Sequence, residues 1–570
     1  MIFYFLRFAI VVLITGSLLI SCKKNNNNSG DAAISRPVTL SATDHPTIAV
    51  STSDPEGGEG KLMDKDAASG WRSGQSITAD AEQWIAWQLN EDSVNYIKLF
   101  PLYNSGVCSG FPVNFTVYYK NGNDWKISQT FTDFLQPLLG PVILPLKEKI
   151  FTSGIRLLAT KLGVDTDKKF SLQFSELLCG YDNGFDKWQF VENDKSPGSF
   201  KVNNVGSDEF DPAQLDNWNY DYRNPLLVAT SGGIGNIYAP YVADNGDNWN
   251  IYFGGWDGTT DGFDKISLTI TEDNFQTFGG HQLMMSNGEM IHINNETVLK
   301  KTDHEWIMYY TTYGGDPAYN KPGYATSSDG IHWTPGEGSF DYLLEMTGYP
   351  DWQQADVNGS NVIVYENGIY HLFFNDFNHQ ITQQQPMQVY HATSTDGIHF
   401  TYGGAVLNEI KVAQDVRKFT YNNTPYYLML MHLNSGFLNY SIGSDLSSFS
   451  ASTLLTENEN ENDRYITSGG WIAKNNRLYG VLYGASAVST LDRNAVYAKW
   501  LQKKVVFKAD DTNDIISQSK AYGPDNQVIE ISKQVITGKF SVYASDGKTI
   551  LYNSPSVTVC AGDVWNYAGN

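Results

Sequence analysis

Ionisable and amide side chains are concentrated immediately before five apolar segments in the second half of this chain. They occupy residues 236–238, 292–296, 356–358, 414–417 and 463–464. Carboxylates such as Glu296, Asp356 and Asp415 can exchange protons with a substrate. Charged groups that converge on a narrow space are costly unless they serve a ligand or pair with each other. The pattern indicates a ligand site, with an Asp415–Arg417 ion pair and a buried His292 as structural alternatives.

A second set of functional side chains stands where the following apolar segments end. Its members are Trp256, Asp257, Asn375, Asp376, His379 and His432. If His292, Asp356, His379 and His432 met at one point, they could ligate a divalent metal. Which chemistry applies depends on how the fold brings these segments together.

The apolar segments are parts of a repeat. Their cores are WNIYFGGWDG (249–258), WIMYYTTYGG (306–315), YHLFFNDFN (370–378), YYLMLMHLN (426–434) and LYGVLYGAS (478–486). Another short apolar strand and a polar turn precede each core. A unit of roughly 55 residues with four short strands, repeated five times, predicts a five-bladed β-propeller. In that fold the starts of the inner strands converge on one mouth of the central channel, where the polar groups above would meet.

One stretch recurs almost unchanged, as ATSSDGIHW (325–333) and ATSTDGIHF (392–400). Asp and Gly suit a tight turn, and we predict that this turn joins the third and fourth strands of a blade. The terminal aromatic residue should pack between blades. The stretch resembles the Asp-box of propeller glycosidases, which implies a structural role on the face away from the mouth.

The five repeats and their polar flanks resemble the five-bladed propellers shared by glycoside hydrolase families 43 and 32. That resemblance implies a carboxylic acid that protonates the leaving oxygen and a second carboxylate that activates water or attacks the sugar. On it we predict Asp356 and Asp415 as the acid/base pair and Glu296 as a further catalytic candidate. Sugar contacts are assigned to His292, Asn295, Arg417, Asp257, Trp256, Asp376 and His379. The first blade has Tyr238-Ala239-Pro240 where the families often place an acid, which is a departure from their pattern.

Residues 38–182 contain short alternating strands that predict an antiparallel β-sandwich. The ordered blocks SGWRS (69–73), QWIAWQL (83–89), FPVNFTVYY (111–119), IRLLATKL (155–162) and LQFSELL (172–178) resemble a discoidin, or coagulation factor type C, domain. In exported bacterial enzymes such domains resemble family-32 carbohydrate-binding modules, whose ligands bind to loops at one end. The candidates for such contacts are Tyr103, Asn104 and Trp125. A spacer without a ligand is the alternative.

Several smaller expectations concern the same domain. Trp71, Trp84 and Trp87 are expected to be core residues. Asp64 and Asp66 lie in the loop where some relatives hold a structural calcium ion, although two carboxylates alone do not specify one. No other cofactor is expected. A Cys108–Cys179 disulfide and buried free thiols are both open.

The first residues read as a targeting segment. Arg7 precedes an apolar run over residues 8–20, too short for a stable membrane-spanning helix, and Leu19-Ile20-Ser21-Cys22 resembles a bacterial lipobox. The resemblance implies cleavage before Cys22, acylation of its sulfur and attachment to the outer membrane of a Gram-negative bacterium. The net charge of −23 argues against nucleic acid as a partner.

The sequence therefore predicts an all-β chain with a signal peptide (1–21), a polar tether (22–37), the discoidin-like sandwich (38–182), a linker (183–223) and the propeller (224–570). Its C-terminal strands should complete or flank the last blade. The expected function is a membrane-tethered, exo-acting glycoside hydrolase for poly- or oligosaccharides with an accessory carbohydrate-binding domain. A non-catalytic glycan-binding lipoprotein and a metal-dependent carbohydrate deacetylase or esterase are the alternatives.

Overall fold

A computed structural model of the chain describes most of residues 47–568. Outside the description are residues 1–46, 55–57, 65, 67, 105, 138–140, 194–198, 230–236, 257–263, 286–291, 314–318, 337–343, 434–435, 460, 490–494, 511–514, 532–534, 545–546 and 569–570. The predictions for Cys22 and Asp257 fall outside the described residues. In the described part no helix is long and apolar enough to cross a membrane.

The described chain is all-β, as predicted. Apart from strands it contains one short α-helix, His379–Thr382, and five short 3-10 helices: Glu59–Leu62, Asn183–Lys187, Pro212–Asp216, Trp352–Gln354 and Glu461–Asp463. The abundant Asn-Gly and Asp-Gly turns join strands that alternate between buried and exposed positions, which is the pattern of antiparallel sheets.

The N-terminal domain is built on two long antiparallel strands, Gln83–Phe100 and Val142–Lys161. Irregularities in their register around Gln88 and Val94 bend both strands, and the sheet wraps around one apolar core. Trp71 and Trp87 are buried in that core, as predicted, whereas Trp84 is half-buried under a guanidinium group. The other strands are Ile48–Val50, Trp71–Arg72, Leu102–Asn104, Val107–Ser109, Asn114–Asn121, Asp124–Phe131, Gly163–Val164, Phe170–Ser171, Gln173–Phe174 and Glu176–Gly180.

A second sandwich is formed by residues from two distant parts of the sequence. Its strands are Trp188–Asn193, Ser199–Asn203, Val505–Ala509, Ile515–Gln518, Lys520–Ala521, Gln527–Glu530, Val535–Tyr543, Ile550–Asn553, Val557–Cys560 and Asp563–Tyr567. They form two sheets over a core in which Trp188 stacks on Phe540, with ring centroids 4.3 Å apart. The prediction of a linker over residues 183–223 is therefore wrong, because this segment contributes strands to a separate core.

Five sheets follow around a central channel. Blade one contains Tyr238–Asn245, Asn248–Trp256, Asp264–Thr271 and Gln282–Met285; blade two contains His292–Thr302, Glu305–Tyr313, Lys321–Ser327 and Thr334–Pro335. Blade three contains Asn361–Glu366, Ile369–Phe374, Val389–Ser394 and His399–Leu407, with Glu345–Thr347 added at its edge. Blade four contains Val412–Tyr421, Thr424–His432, Phe437–Gly443 and Thr453–Glu457. The first strand of each blade contacts the first strand of the next, and the fifth contacts the first.

Blade five closes the ring with strands from both ends of the propeller. Tyr465–Lys474, Arg477–Ser486 and Ala495–Leu501 form its inner part. Its outer edge is Trp218–Tyr220 and Leu227–Val228, which both pair with Ala495–Leu501. The propeller therefore begins before residue 224. One of the two predicted arrangements had the C-terminal strands complete the last blade. They do not, because they belong to the second sandwich.

The recurring Ser-x-Asp-Gly stretches lie between the third and fourth strands of blades two and three, as predicted. The Asp329 carboxylate accepts hydrogen bonds from the amides of Ile331 and His332, both at 2.8 Å. The carbonyl oxygen of Gly330 accepts a hydrogen bond from Tyr252 of blade one at 2.6 Å. Each stretch thus forms a tight turn that also attaches its blade to the preceding one.

The two sandwiches pack against each other. The Ile143 amide donates to Thr558 Oγ1 at 2.8 Å, and Thr537 Oγ1 donates to the carbonyl of Pro141 at 3.0 Å. Cys108, Cys179 and Cys560 are free thiols, so the Cys108–Cys179 disulfide does not form.

Candidate active site at the propeller mouth

Asp356 lies at the mouth, on the segment that leads into the inner strand of blade three. The 3-10 turn Trp352–Gln354 precedes it, and its side chain is half-buried. The carboxylate accepts hydrogen bonds from the backbone N–H and the side-chain amide of Asn320, at 2.9 and 2.8 Å. Asn320 Oδ1 lies 3.0 Å from His292 Nε2 in blade two. The predicted residues His292 and Asp356 are therefore brought together, through an asparagine that the sequence did not single out.

Asp376 anchors the segment that carries Asp356. It is fully buried, and its carboxylate accepts from the Asp356 amide at 2.9 Å, the Asn378 amide at 2.8 Å and the Tyr349 hydroxyl at 2.8 Å. Thr382 Oγ1 donates to it as well. Because these donors occupy both oxygens, Asp376 is not available to orient a substrate hydroxyl. The predicted sugar contact at Asp376 is corrected to a structural role.

Lys321 holds the same segment in place through its backbone carbonyl groups. Its buried ammonium group donates to the carbonyl oxygens of Trp352, at 2.6 Å, and Ala355. Burial lowers the pKa of Lys321 to about 8, although the nearby carboxylates of Asp376 and Asp356 act in the opposite direction. Because this buried ammonium group binds the backbone just before Asp356, it can set the position of the Asp356 carboxylate.

Asp415 and Arg417 form a buried ion pair inside the channel. Arg417 Nε lies 2.9 and 3.0 Å from the two carboxylate oxygens of Asp415, which also accept the Trp471 amide at 2.9 Å. Arg417 further donates to the Val242 carbonyl at 2.9 Å, and its guanidinium carbon lies 4.6 Å from the centre of the Tyr241 ring. The pair thus connects blades one, four and five.

This geometry favours the structural alternative for Asp415 and Arg417. Burial raises the pKa of Asp415, while Arg417 and the Trp471 amide oppose that shift. Both Asp415 oxygens accept N–H groups of the protein, and the residue is 1% exposed, so a reacting water or sugar has little access to it. These contacts argue against the predicted acid/base role of Asp415, whereas the sugar contact by Arg417, whose side chain is 21% exposed, stays a prediction.

Glu296 occupies a bulge in the inner strand of blade two. The register of this strand shifts between Asn294 and Thr297, so that Asn295 and Glu296 together oppose the single residue Tyr310. The Glu296 side chain is 4% exposed, and neither carboxyl oxygen has a hydrogen-bond partner in the described structure. Burial raises its pKa to about 8. Glu296 is therefore protonated at neutral pH and can act as a proton donor.

The side chain of Asn295 reaches Gly359, on the segment that follows Asp356. Asn295 adopts a left-handed backbone conformation with φ of 51°. A Cβ atom at Gly359 would approach Asn295 Nδ2 to 2.8 Å, so glycine is required for this close contact. The predicted residues His292, Asn295 and Asp356 thus belong to one junction between blades two and three. The Glu296 carboxyl group instead acts electrostatically on Tyr252 of blade one.

A third carboxylate at the mouth was missed by sequence reasoning. Asp264 begins the third strand of blade one and pairs across the sheet with the predicted residue Trp256. Its Oδ2 accepts a hydrogen bond from Tyr238 Oη at 2.7 Å and lies 3.4 Å from Asn294 Nδ2. Asn294 Nδ2 also donates to Tyr238 Oη at 2.7 Å. The first blade therefore does carry an acid near the mouth. It lies on the third strand of the blade, whereas the sequence pattern concerned the residues before the inner strands.

The remaining predicted residues are less central. His379 is half-buried in the short helix, with Nδ1 2.8 Å from the carbonyl oxygen of Asp376. His432 is buried at the end of its strand. In the described residues no three His, Cys, Asp or Glu side chains are placed to hold a metal ion.

The predicted carbohydrate contacts of the N-terminal domain lie at two places. Tyr103 and Asn104 are in the hairpin Leu102–Asn104/Val107–Ser109, beside a cavity of about 560 Å³ that Val107, Cys108 and Lys161 help to line. Trp125 lies in the hairpin at the opposite end of the sheet, where it is 37% exposed. The structure does not bring Trp125 together with the other two.

The carboxylates considered for calcium cap a turn. Asp64 accepts from the Asp66 amide at 2.9 Å and from Ser69 Oγ at 2.7 Å, and Asp66 accepts from the Ala68 amide at 3.0 Å. These contacts give both residues a local structural role.

A comparison with protein families places part of this site in a known context. Residues 353–420 match the glycosyl hydrolases family 32 N-terminal domain. The matched segment begins just before Asp356 and includes Asp376, His379, Asp415 and Arg417. This resemblance supports an enzyme of the glycosidase class, as predicted. A search of curated proteins found no match.

Solved structures similar to the chain include two hydrolases and a binding module. The catalytic domain of the Coprinopsis cinerea GH62 alpha-L-arabinofuranosidase is 14% identical, with a TM-score of 0.37, over 50% of this chain and 96% of that chain. A glycosyl hydrolase from Bacteroides ovatus is 13% identical, with a TM-score of 0.36, over 52% and 96%. The family 32 CBM of C. perfringens NanJ, in complex with galactose, is 13% identical, with a TM-score of 0.20, over 24% and 92%. Similarities at this level carry no argument about activity.

Proposed function

We propose that this protein is a glycoside hydrolase whose active site is the propeller mouth, with Glu296 and Asp356 as its catalytic carboxyl groups. The observation that carries the proposal is the junction of blades two and three. There a partly exposed carboxylate is joined through Asn320 to His292, and the inner strand that carries His292 also carries the buried, unpartnered Glu296. The family 32 resemblance of residues 353–420 supports the same reaction class.

The two carboxyl groups differ as the reaction requires. Glycoside hydrolysis uses one acid to protonate the leaving oxygen and one carboxylate to activate water or attack the anomeric carbon. Glu296 is suited to be the acid, since burial raises its pKa to about 8. Asp356, held by two N–H groups of Asn320, is suited to be the carboxylate. His292 and Asn295 would then hold sugar hydroxyls, with Trp256 and His379 nearer the rim.

The channel below the mouth supports action at chain ends. The Asp415–Arg417 pair and its contacts to Val242 and Trp471 cross the channel at the middle of the inner strands. A substrate entering the mouth would meet this obstruction and could not thread through. A blind pocket of this kind favours an exo-acting enzyme.

The other domains have proposed accessory roles. The N-terminal cavity near Tyr103 and Asn104 would bind carbohydrate, and acylated Cys22 would tether the protein to the bacterial outer membrane. A polysaccharide or oligosaccharide is the proposed substrate. Labelling with a lipid precursor in cells, compared between the wild type and Cys22→Ala, tests the tether.

The hydrolase proposal is tested by incubating the purified protein with a panel of plant, algal and host glycans, with and without EDTA, and analysing products by mass spectrometry. We expect release of a monosaccharide that is abolished in Asp356→Asn and Glu296→Gln. Asp329→Asn, on the opposite face, is the matched control and should retain activity. If the wild type binds a glycan but releases nothing, the mouth is a lectin site. Loss of an acyl group, sensitive to EDTA, would indicate a deacetylase or esterase.

A further inference from the structure

Asp264, like Asp356, keeps one carboxylate oxygen without a donor in the described structure. Both oxygens of Asp415 and of Asp376 accept protein donors. Asp264 is half-buried, and its Oδ2 accepts the Tyr238 hydroxyl at 2.7 Å, while no hydrogen bond engages Oδ1 in the described structure. The Tyr238 contact fixes the direction of the carboxylate and leaves one oxygen for a further donor.

A second unused polar atom lies beside it. Asn294 is 5% exposed and donates from Nδ2 to Tyr238 Oη at 2.7 Å, whereas its Oδ1 is buried without a partner. Buried polar atoms are normally satisfied, so an unsatisfied oxygen on the residue that contacts this carboxylate indicates that a polar ligand can complete the hydrogen bonding.

We propose that Asp264, supported by Tyr238 and Asn294, is a substrate-binding residue that accepts hydrogen bonds from a pair of hydroxyl groups on a neutral sugar. This inference rests on the proposed function and deepens it by assigning the specificity of the mouth to blade one. Carboxylates accept such bonds strongly because the acceptor is charged. Asp264 thereby takes the role that the sequence assigned to Asp376.

The position of Asp264 is consistent with a shared substrate. Asn294 is two residues from His292, and His292 is linked through Asn320 to Asp356. Asp264 and Asp356 are thus both connected by hydrogen bonds to the first residues of one strand, the inner strand of blade two.

The first test measures binding without hydrolysis. Saturation-transfer NMR is recorded with methyl glycosides of glucose, galactose, mannose, xylose and arabinose, using the Asp356→Asn full-length protein with and without Asp264→Ala. We expect at least one methyl glycoside to bind and its affinity to fall about 10- to 100-fold in the double variant. Asp244→Ala, which removes a carboxylate at the opposite end of blade one, should leave binding unchanged.

The second test identifies the contacted hydroxyls. The substrates are aryl glycosides of the preferred sugar and of its monodeoxy derivatives. Removing a contacted hydroxyl should lower kcat/KM of the wild type about 10- to 100-fold but should change kcat/KM of Asp264→Ala very little. Equal sensitivity of both proteins to every deoxy position would overturn the inference. So would unchanged binding in Asp264→Ala, or no saturation transfer from any glycoside. Binding lost in Asp264→Ala, with no hydrolysis by the wild type, would refute only the proposed hydrolase.

Discussion

Replacing Glu296 by glutamine should stabilise the protein at alkaline pH while abolishing its activity. The side chain is buried, its carboxyl oxygens have no partner in the described structure, and burial raises its pKa from 4.5 to about 8. Below pH 4.5 both folded and unfolded chains carry the neutral acid, and the group imposes no penalty. Between pH 4.5 and 8 only the unfolded chain releases the proton, so folding stability falls as pH rises.

The size of the effect follows from the pKa change. A shift from 4.5 to about 8 corresponds to about 5 kcal/mol of stability lost by pH 8. Glutamine cannot ionise, but its amide buries one more unpartnered donor than the neutral acid does, at a cost of about 1 to 3 kcal/mol at every pH. Glu296→Gln should therefore be less stable than the wild type near pH 4.5 and more stable by about 2 to 4 kcal/mol at pH 8.

Calorimetric unfolding of both proteins at pH 4.5, 6 and 8 measures this difference. At about 2 to 4 °C per kcal/mol for a domain of this size, the propeller transition of the variant should lie several degrees above that of the wild type at pH 8. The order should reverse at pH 4.5. A difference in melting temperature that does not change with pH would refute the reasoning, because it would mean that Glu296 ionises normally in the folded protein. Glu305→Gln, at an exposed site on the next strand, is the matched control.

Three further predictions concern the supports of the site. The free energy of unfolding of the wild type should rise by about 3 kcal/mol between pH 8 and 10.5, because the folded protein releases the Lys321 proton before the unfolded chain does. Lys321→Met should abolish this rise, which urea titrations of both proteins at pH 7.5 and 10 measure. Arg417→Met should destabilise the propeller by about 3 to 5 kcal/mol by leaving Asp415 buried and unpaired, and adding Asp415→Asn should restore much of the loss in thermal unfolding. Tyr309→Phe removes the hydroxyl that donates to the Gly397 carbonyl and should cost about 1 kcal/mol with hydrolysis rates unchanged.

The propeller could be predicted because its signals are local and repeated. Alternation within strands and the recurring Ser-Asp-Gly turns at residues 327–330 and 394–397 report directly on strand pairs and on the third-to-fourth turn. The second sandwich gave no comparable signal. Its strands Trp188–Asn193 and Asp563–Tyr567 pair across more than three hundred residues, and no local pattern records such a partnership.

At the site, the sequence predicted which segments reach the mouth but not whether each carboxylate there is exposed or forms an ion pair. Asp356 and Asp415 both precede or begin an inner strand, yet one is half-exposed and the other is neutralised by Arg417. That difference depends on how deep each residue lies in the channel, which tertiary packing sets. Asp264 and Lys321 were missed because candidates were sought before inner strands and at the ends of second strands, whereas these two residues begin third strands.

The second sandwich also has a consequence for the order of synthesis. Its strand Ser199–Asn203 pairs with Gln527–Glu530 and Asp563–Tyr567, so the ribosome must translate the whole propeller before these partners exist. At typical rates of 5 to 20 residues per second, that delay is on the order of 20 to 70 s. Through this interval the nascent strands Trp188–Asn193 and Ser199–Asn203 have unpaired edges and an uncovered apolar face. We therefore expect chaperones to bind this early segment until its partners have been synthesised.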